Sequence, residues 1–196
     1  MTRPDPGRLR DLALATAREA GALVLRLRAE GVEIAGTKSS DIDIVTRADQ
    51  AAEALVKERL LGARPDDGMV GEEGDDLAGS SGVVWIVDPI DGTVNYLYGH
   101  PHFAVSIAAE VDGEVVAGVV VAPALGLEYV ATLGGGATCN GDPVRVRDVV
   151  PMAQRLHRLV NHHEGRYDEI VVHAPLLPRT RCFSNTILGE SRMGGN

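Results

Sequence analysis

Two carboxylates bracket a proline in the segment Trp85-Ile86-Val87-Asp88-Pro89-Ile90-Asp91-Gly92-Thr93-Val94-Asn95. The apolar run before Asp88 predicts a buried strand that delivers hard oxygens to one place. Pro89-Ile90 predicts a turn that aims Asp88, Asp91 and the Ile90 carbonyl at a shared centre. Upstream, Glu72 and Glu73 follow another short apolar stretch, and Glu72 would complete the set from a neighbouring strand end. Carboxylate and carbonyl oxygens in octahedral arrangement are what Mg²⁺ prefers. Two such ions about 4 Å apart clamp a phosphate and activate a water. Asp91-Gly92-Thr93 predicts a helix start whose N–H groups face that phosphate, with the Thr93 hydroxyl orienting the water. The competing expectation for acids in turns is simple solvation. It is weaker for Asp88 and Asp91, because carboxylates beside a buried run need a compensating cation.

The elements that must position these residues are legible in part. Asp5-Pro6 predicts a capped helix start. Leu9, Leu12, Ala13, Ala20, Leu23 and Leu27 recur at helical spacing, and the helix is expected to end near Gly31. Residues 38–46 read as a loop or hairpin. A second helix is expected from Arg47–Asp49, with Ala52, Leu55, Val56 and Leu60 on one face. Strand periodicity follows at Met69-Val70, 83–87, 104–111, 114–122 and 127–131, with Asp112-Gly113 a hairpin signal. Glycine-rich turns surround short strands at 137–139 and 144–146. Two helices followed by an antiparallel meander predict an α+β fold and not an alternating parallel sheet. A short helix over 150–160 and a strand over 170–177 are expected in the tail.

The chain has 196 residues and a formal charge of −9. That length supports a core without disulfides, and the charge argues against a nucleic-acid partner. Cys139 and Cys182 read as reduced thiols, Cys139 in a buried strand position. With no signal pattern and no membrane-length apolar run, a cytoplasmic protein without a membrane partner is expected. Ser106 lacks a Gly-x-Ser-x-Gly context, and Gly134-Gly135-Gly136 is followed by no Gly-Lys step, so neither a serine hydrolase nor a P-loop is supported. His100, His102 and the pair His162-His163 read as structural or exposed.

Gly71-Glu72-Glu73 followed by the Trp85–Tyr96 segment resembles the signature of the inositol monophosphatase family, Mg²⁺-dependent phosphomonoesterases related to fructose bisphosphatase. Lys38-Ser39-Ser40, Asp43 and Val45-Thr46-Arg47-Ala48-Asp49 are similar to the family's upstream segment, and the resemblance runs to about Asp148. It implies a layered α/β/α/β/α sandwich, a homodimer and a small phosphorylated substrate. It implies that Glu72, Asp88, the Ile90 carbonyl and Asp91 hold Mg²⁺. Asp43 and Thr93 resemble the groups supporting the nucleophilic water, with Glu72 also catalytic. Asp91, Gly92 and Thr93 resemble the phosphate-binding helix start. Lys38 and Asp49 resemble the groups around a more weakly held second metal. Myo-inositol monophosphate is the favoured substrate. Histidinol phosphate, fructose bisphosphate and adenosine bisphosphate are the alternatives, as is an inactive chain that retains metal or phosphate binding.

The pattern breaks in the tail. The family's second half carries a Trp-Asp-x-Ala-Gly-like motif whose Asp binds the second metal, but the one tryptophan here is Trp85. Residues 151–196 hold six Arg, no Lys and four acids, against 13 basic and 24 acidic residues in 1–150. The expectation is an N-terminal family domain over 1–150 with only that α+β half intact. A divergent or truncated tail over 151–196 follows, as a frameshift would leave. Weak or absent turnover and aggregation are the physical consequences expected of such a chain.

Overall fold

Asp5 starts the first helix: one of its carboxylate oxygens accepts from the Gly7 N–H at 2.9 Å, and Pro6 occupies the first turn. In the computed structural model, which describes residues 3–32, 34–37, 44–72 and 76–145, this helix, α1, spans Pro6–Glu30 and stops at Gly31, where φ is 115°. That backbone favours glycine. The buried face of α1 is small and apolar (Leu9, Ala13, Ala17, Ala20, Val24) with Thr16 among them. It packs on a second helix and on the sheet.

Strands β1 (Ile34–Thr37) and β2 (Ile44–Thr46) pair antiparallel, and residues 38–43 of the expected loop or hairpin lie outside the described residues. Helix α2 spans Arg47–Ala63 and opens with a capping box. Thr46 Oγ1 accepts from the Ala48 and Asp49 N–H groups, and the Asp49 carboxylate accepts from the Thr46 N–H. Reciprocal capping of this kind satisfies N–H groups that the first turn leaves without helical partners. Ala52, Val56 and Leu60 are buried on its inner face.

A seven-stranded sheet follows in the order β3 (Gly68–Gly71), β4 (Val83–Asp91), β5 (Ala104–Val111), β6 (Glu114–Ala122), β7 (Leu127–Thr132), β8 (Gly136–Cys139) and β9 (Asp142–Val144). Between β4 and β5 lies the short helix α3 (Thr93–Leu97). The hairpin at Asp112-Gly113 has φ of 52° and 84°, the left-handed pair that matches strand twist. The sheet is mixed: β3 and β4 run parallel and every later pair is antiparallel. An all-antiparallel meander therefore fails at its first pair. The connection over 72–82 returns the chain to the same end of the sheet, which a tight hairpin cannot do. The architecture is α+β.

One core lies between the helices and the sheet, with Leu9, Leu60, Trp85, Val87, Ile107 and Val119 in it. A smaller one gathers Val24, Ala48, Ala52, Ile90, Tyr96 and Phe103 behind the proline-containing end of β4. The chain divides into units Met1–Val144 and Arg145–Asn196, and the elements above belong to the first. The helix and strand expected in the tail, with His162, His163 and Cys182, lie outside the described residues. Among the described residues no helix is long and apolar enough to cross a membrane.

Arg18 of α1 reaches Glu128 of β7 with two hydrogen bonds, at 2.8 and 2.6 Å. The Arg18 hydrogen bond holds the Glu128 carboxyl below its ordinary value. A carboxyl depressed in the folded state contributes stability above its unfolded pKa and loses it as pH falls through the folded value. The pair is solvent-screened, so Glu128→Gln is expected to cost less than about 1 kcal/mol near neutral pH. Thermal melts across an acid titration should show that difference vanishing at low pH. A difference that persists when carboxylates are protonated would rule out the ion pair as its source.

Candidate metal and phosphate site

Two features of β4 set the carboxylates at one end of the sheet. The first is a bulge. Asp88 pairs with Ser106 and Asp91 with Ala104, so three steps on β4 span two on β5. In a regular strand, residues three apart face opposite sides. The extra residue puts Asp88 and Asp91 in register with Ser106 and Ala104, which share a face. The chain does not turn at Pro89-Ile90, as the sequence suggests. It remains strand to Asp91, with the proline at the irregularity, where a missing N–H is tolerated. The second feature is the parallel pairing of β3 with β4. Gly71 lies opposite Val87, so Glu72 leaves β3 at the level of Asp88.

Glu72 is exposed, Asp88 is half-buried with its Oδ1 buried, and Ile90 is 1% exposed. Asp91 keeps open surface at the strand end. Its carboxyl is nevertheless held above the ordinary value, first by burial and then by the negative charge of Glu72. Gly92 adopts φ 91°, ψ 39°, and a Cβ there would sit 2.9 Å from the His102 carbonyl oxygen, so backbone angle and space both demand glycine. Thr93 then opens α3. Its Oγ1 lies 3.2 Å from Asp49 Oδ1 and 3.0 Å from the Ile90 carbonyl. One hydroxyl proton serves one acceptor at a time, and the oxygen keeps capacity to accept from a water.

Asp49 is 1% exposed. Its Oδ2 accepts from the Thr46 N–H at 2.8 Å and the Thr46 hydroxyl at 2.5 Å, while Oδ1 receives Thr93. Burial pushes the Asp49 carboxyl up, and the Thr46 and Thr93 hydrogen bonds oppose that. Among the described residues Asp49 is a carboxylate that meets Thr93, a position the resemblance places near the second metal. Asp43, Lys38 and Glu73 lie outside the described residues.

Among the described residues, no group of three or more His, Cys, Asp or Glu side chains is gathered as a metal-binding cluster. The donor chemistry nonetheless fits a hard divalent cation. Carboxylates on β4 and just after β3 and a main-chain carbonyl lie at one sheet end, and burial first and the Glu72 charge second raise the Asp91 carboxyl, both of which a cation would oppose. A cavity of about 710 Å³ between the end of α1 and the start of α2 is lined by Leu27, Val32, Arg47, Gln50 and Tyr96. None of Glu72, Asp88, Asp91 or Thr93 lines it.

The profile of the inositol monophosphatase family matches residues 5–184. The chain belongs to the inositol monophosphatase family. The match passes Asp148, where the motif resemblance stops. The chain is 40% identical over 153 residues to an inositol-1-monophosphatase of Rhizobium meliloti, covering 78% of this chain and 56% of that protein. It is 43% identical over 135 residues to a histidinol-phosphatase of Chlorobaculum parvum, covering 69% and 52%. The crystal structure of the extragenic suppressor protein suhB from Bartonella henselae superposes with a TM-score of 0.68 at 35% identity, covering 72% of this chain and 55% of that one. The chain spans about half the length of the curated relatives it matches.

Sequence reading of this inositol monophosphatase family member missed Glu53. It is 8% exposed on the inner face of α2, one turn from Asp49. An acid at that spacing on an otherwise apolar face is the signal that marks it. A Cβ on Gly71 would overlap Glu53 Oε1 and lie 3.0 Å from its carboxyl carbon. Glycine before Glu72 therefore makes room for a buried carboxylate. Gly71→Ala is expected to cost about 1–3 kcal/mol, and much less in a Glu53→Ala background. Urea unfolding of the double-mutant cycle measures this. Equal costs in both backgrounds would exclude the contact. His100 and His102 are exposed. Cys139 is a free thiol, half-buried and not in the core, because β8 lies beside the sheet-edge strand β9.

Proposed function

We propose that this site hydrolyses a small phosphomonoester with Mg²⁺, and that inositol monophosphate is the favoured substrate. The observation that carries the reading is geometric: the bulge sets Asp88 and Asp91 in register with Ser106 and Ala104, Glu72 follows β3 at the same sheet end, and the Thr93 hydroxyl is held there by Asp49 and the Ile90 carbonyl. Glu72, Asp88, Asp91 and the Ile90 carbonyl would hold the ion. When bound, Mg²⁺ neutralises phosphate charge and lowers the pKa of a bound water. Thr93 accepts a hydrogen bond from the attacking water while its own proton points to Asp49 or Ile90. Glu72 takes the water's proton. Gly92 and Thr93 offer backbone N–H donors to the phosphate. Water oxygen bonds to phosphorus as the ester P–O bond breaks, the departing alkoxide takes up a proton equivalent to the one Glu72 accepted, and the alcohol and inorganic phosphate leave.

The test is phosphate release from inositol monophosphate, histidinol phosphate, fructose bisphosphate and adenosine bisphosphate, with Mg²⁺ and with chelator. Mg²⁺-dependent release that is fastest with inositol monophosphate is expected. Faster release from histidinol phosphate would move the substrate to that named for the Chlorobaculum relative. Calorimetric Mg²⁺ binding without release from any substrate would replace the hydrolase reading with that of a binding protein.

A further inference from the structure

Helix α3 contains five residues, Thr93–Leu97. A single turn of helix has no stability of its own, because nucleation fixes several residues for one hydrogen bond. The orientation of the Thr93 hydroxyl therefore depends on what holds this turn from outside. Tyr96, one turn after Thr93, is fully buried. Its hydroxyl donates to the Val24 carbonyl of α1 at 3.0 Å. Phe103 meets the Tyr96 ring edge-on, with centroids 5.2 Å apart at 83°. The Arg28 guanidinium stands over both rings, 5.6 Å from the Tyr96 centroid and 4.9 Å from that of Phe103. The same guanidinium donates to the His100 carbonyl at 2.9 Å. The His100 N–H in turn bonds the Asn95 carbonyl at 2.9 Å, and the Asn95 side chain bonds the His102 carbonyl at 2.8 Å.

We propose that Arg28 is a positioning residue. It staples the segment 93–103 to α1 through two aromatic faces and one carbonyl, and so fixes the rotation of α3 that aims Thr93 at Asp49 and Ile90. The catalytic part of this inference rests on the hydrolase reading above, while the staple itself stands on the contacts alone. A planar guanidinium suits the place because it stacks on rings and donates in its own plane at once. A lysine keeps the cation over the rings but lacks the fork.

The experiment compares wild type, Arg28→Met and Arg28→Lys. Methionine retains the apolar stem, so the fold survives. Amide hydrogen exchange across 93–100 is expected to accelerate about tenfold in Arg28→Met, from loss of the cation–π and hydrogen-bond contributions. The β5–β6 ladder should keep its wild-type rates. kcat should fall about tenfold at unchanged KM, and Arg28→Lys should recover part of both losses. Exchange unchanged in Arg28→Met, or accelerated evenly across α1 and the sheet, would overturn the staple. A localised acceleration with kcat unchanged would overturn its link to Thr93. If the wild-type chain releases no phosphate, the hydrolase reading and that link fall together, and the exchange experiment still decides the staple.

Discussion

Asp91→Asn is expected to lower Mg²⁺-dependent phosphate release by about three orders of magnitude. That factor corresponds to the several kcal/mol of transition-state charge stabilisation that a correctly held metal supplies. The physical ground is the position of Asp91. It lies on the bulged end of β4, in register with Ala104, where burial and the Glu72 charge both oppose its ionisation. A structural carboxylate gains nothing from such a place, whereas a cation ligand accepts the crowding because the ion reverses it. Asparagine keeps the volume and removes the charge. The metal-free variant should therefore melt no lower than wild type, since a repelled, desolvated charge has been deleted. The combination separates the two explanations. Lost activity with retained or raised stability supports a ligand. Lost activity with a large fall in melting temperature would assign Asp91 to the fold. Activity within threefold of wild type would remove it from the site.

The second large effect is on stability. Trp85→Ala is expected to cost about 3–5 kcal/mol, the range for emptying a large aromatic from a core. Trp85 is fully buried between β4 and the helices. Its indole N–H also donates to Asp67 Oδ2 at 2.9 Å. Asp67, 3% exposed, is otherwise held by a bidentate Arg64 and by the Ser81 hydroxyl at 2.6 Å. The tryptophan thus ties the loop before β3 and the entry to β4 to the core. Trp85→Phe should retain much of the packing and lose about 1–3 kcal/mol, because a buried carboxylate oxygen forfeits a donor. Trp85 is the single tryptophan, so unfolding in these variants is followed by circular dichroism. A cost below about 1 kcal/mol for the alanine variant would mean that the site collapses around the gap.

Much of the scaffold was legible because its signals are local. Asp5-Pro6 and Gly31 bound α1, Thr46 and Asp49 sit where a capping box opens α2, and Asp112-Gly113 turns the β5–β6 hairpin. Each depends on the conformational preference of one or two residues. The parallel β3–β4 pair was not legible. Nothing in Gly68–Gly71 records which way its partner runs, and the direction appears only in its pairing with β4. The bulge at Pro89-Ile90 resembles a turn in sequence for a similar reason. Proline forbids a regular ladder locally, but only the partner strand β5, continuing on both sides of it, decides between bulge and turn.

The site divides along the same line. By itself the sequence determined the donor types: Glu72, Asp88, Asp91 and the Ile90 carbonyl are hard oxygens whatever the fold, and Gly92-Thr93 is a glycine-dependent backbone step. It also carried the family, since the motif is contiguous. Only the tertiary structure decided which groups meet. Asp49 finds Thr93 from 44 positions away, Glu53 fills the space beside Gly71, and Arg28 reaches the rings of Tyr96 and Phe103 from another helix. Covalent spacing fixes what neighbours along the chain can do. Contacts between distant residues are fixed by strand direction, register and packing, which no single segment encodes.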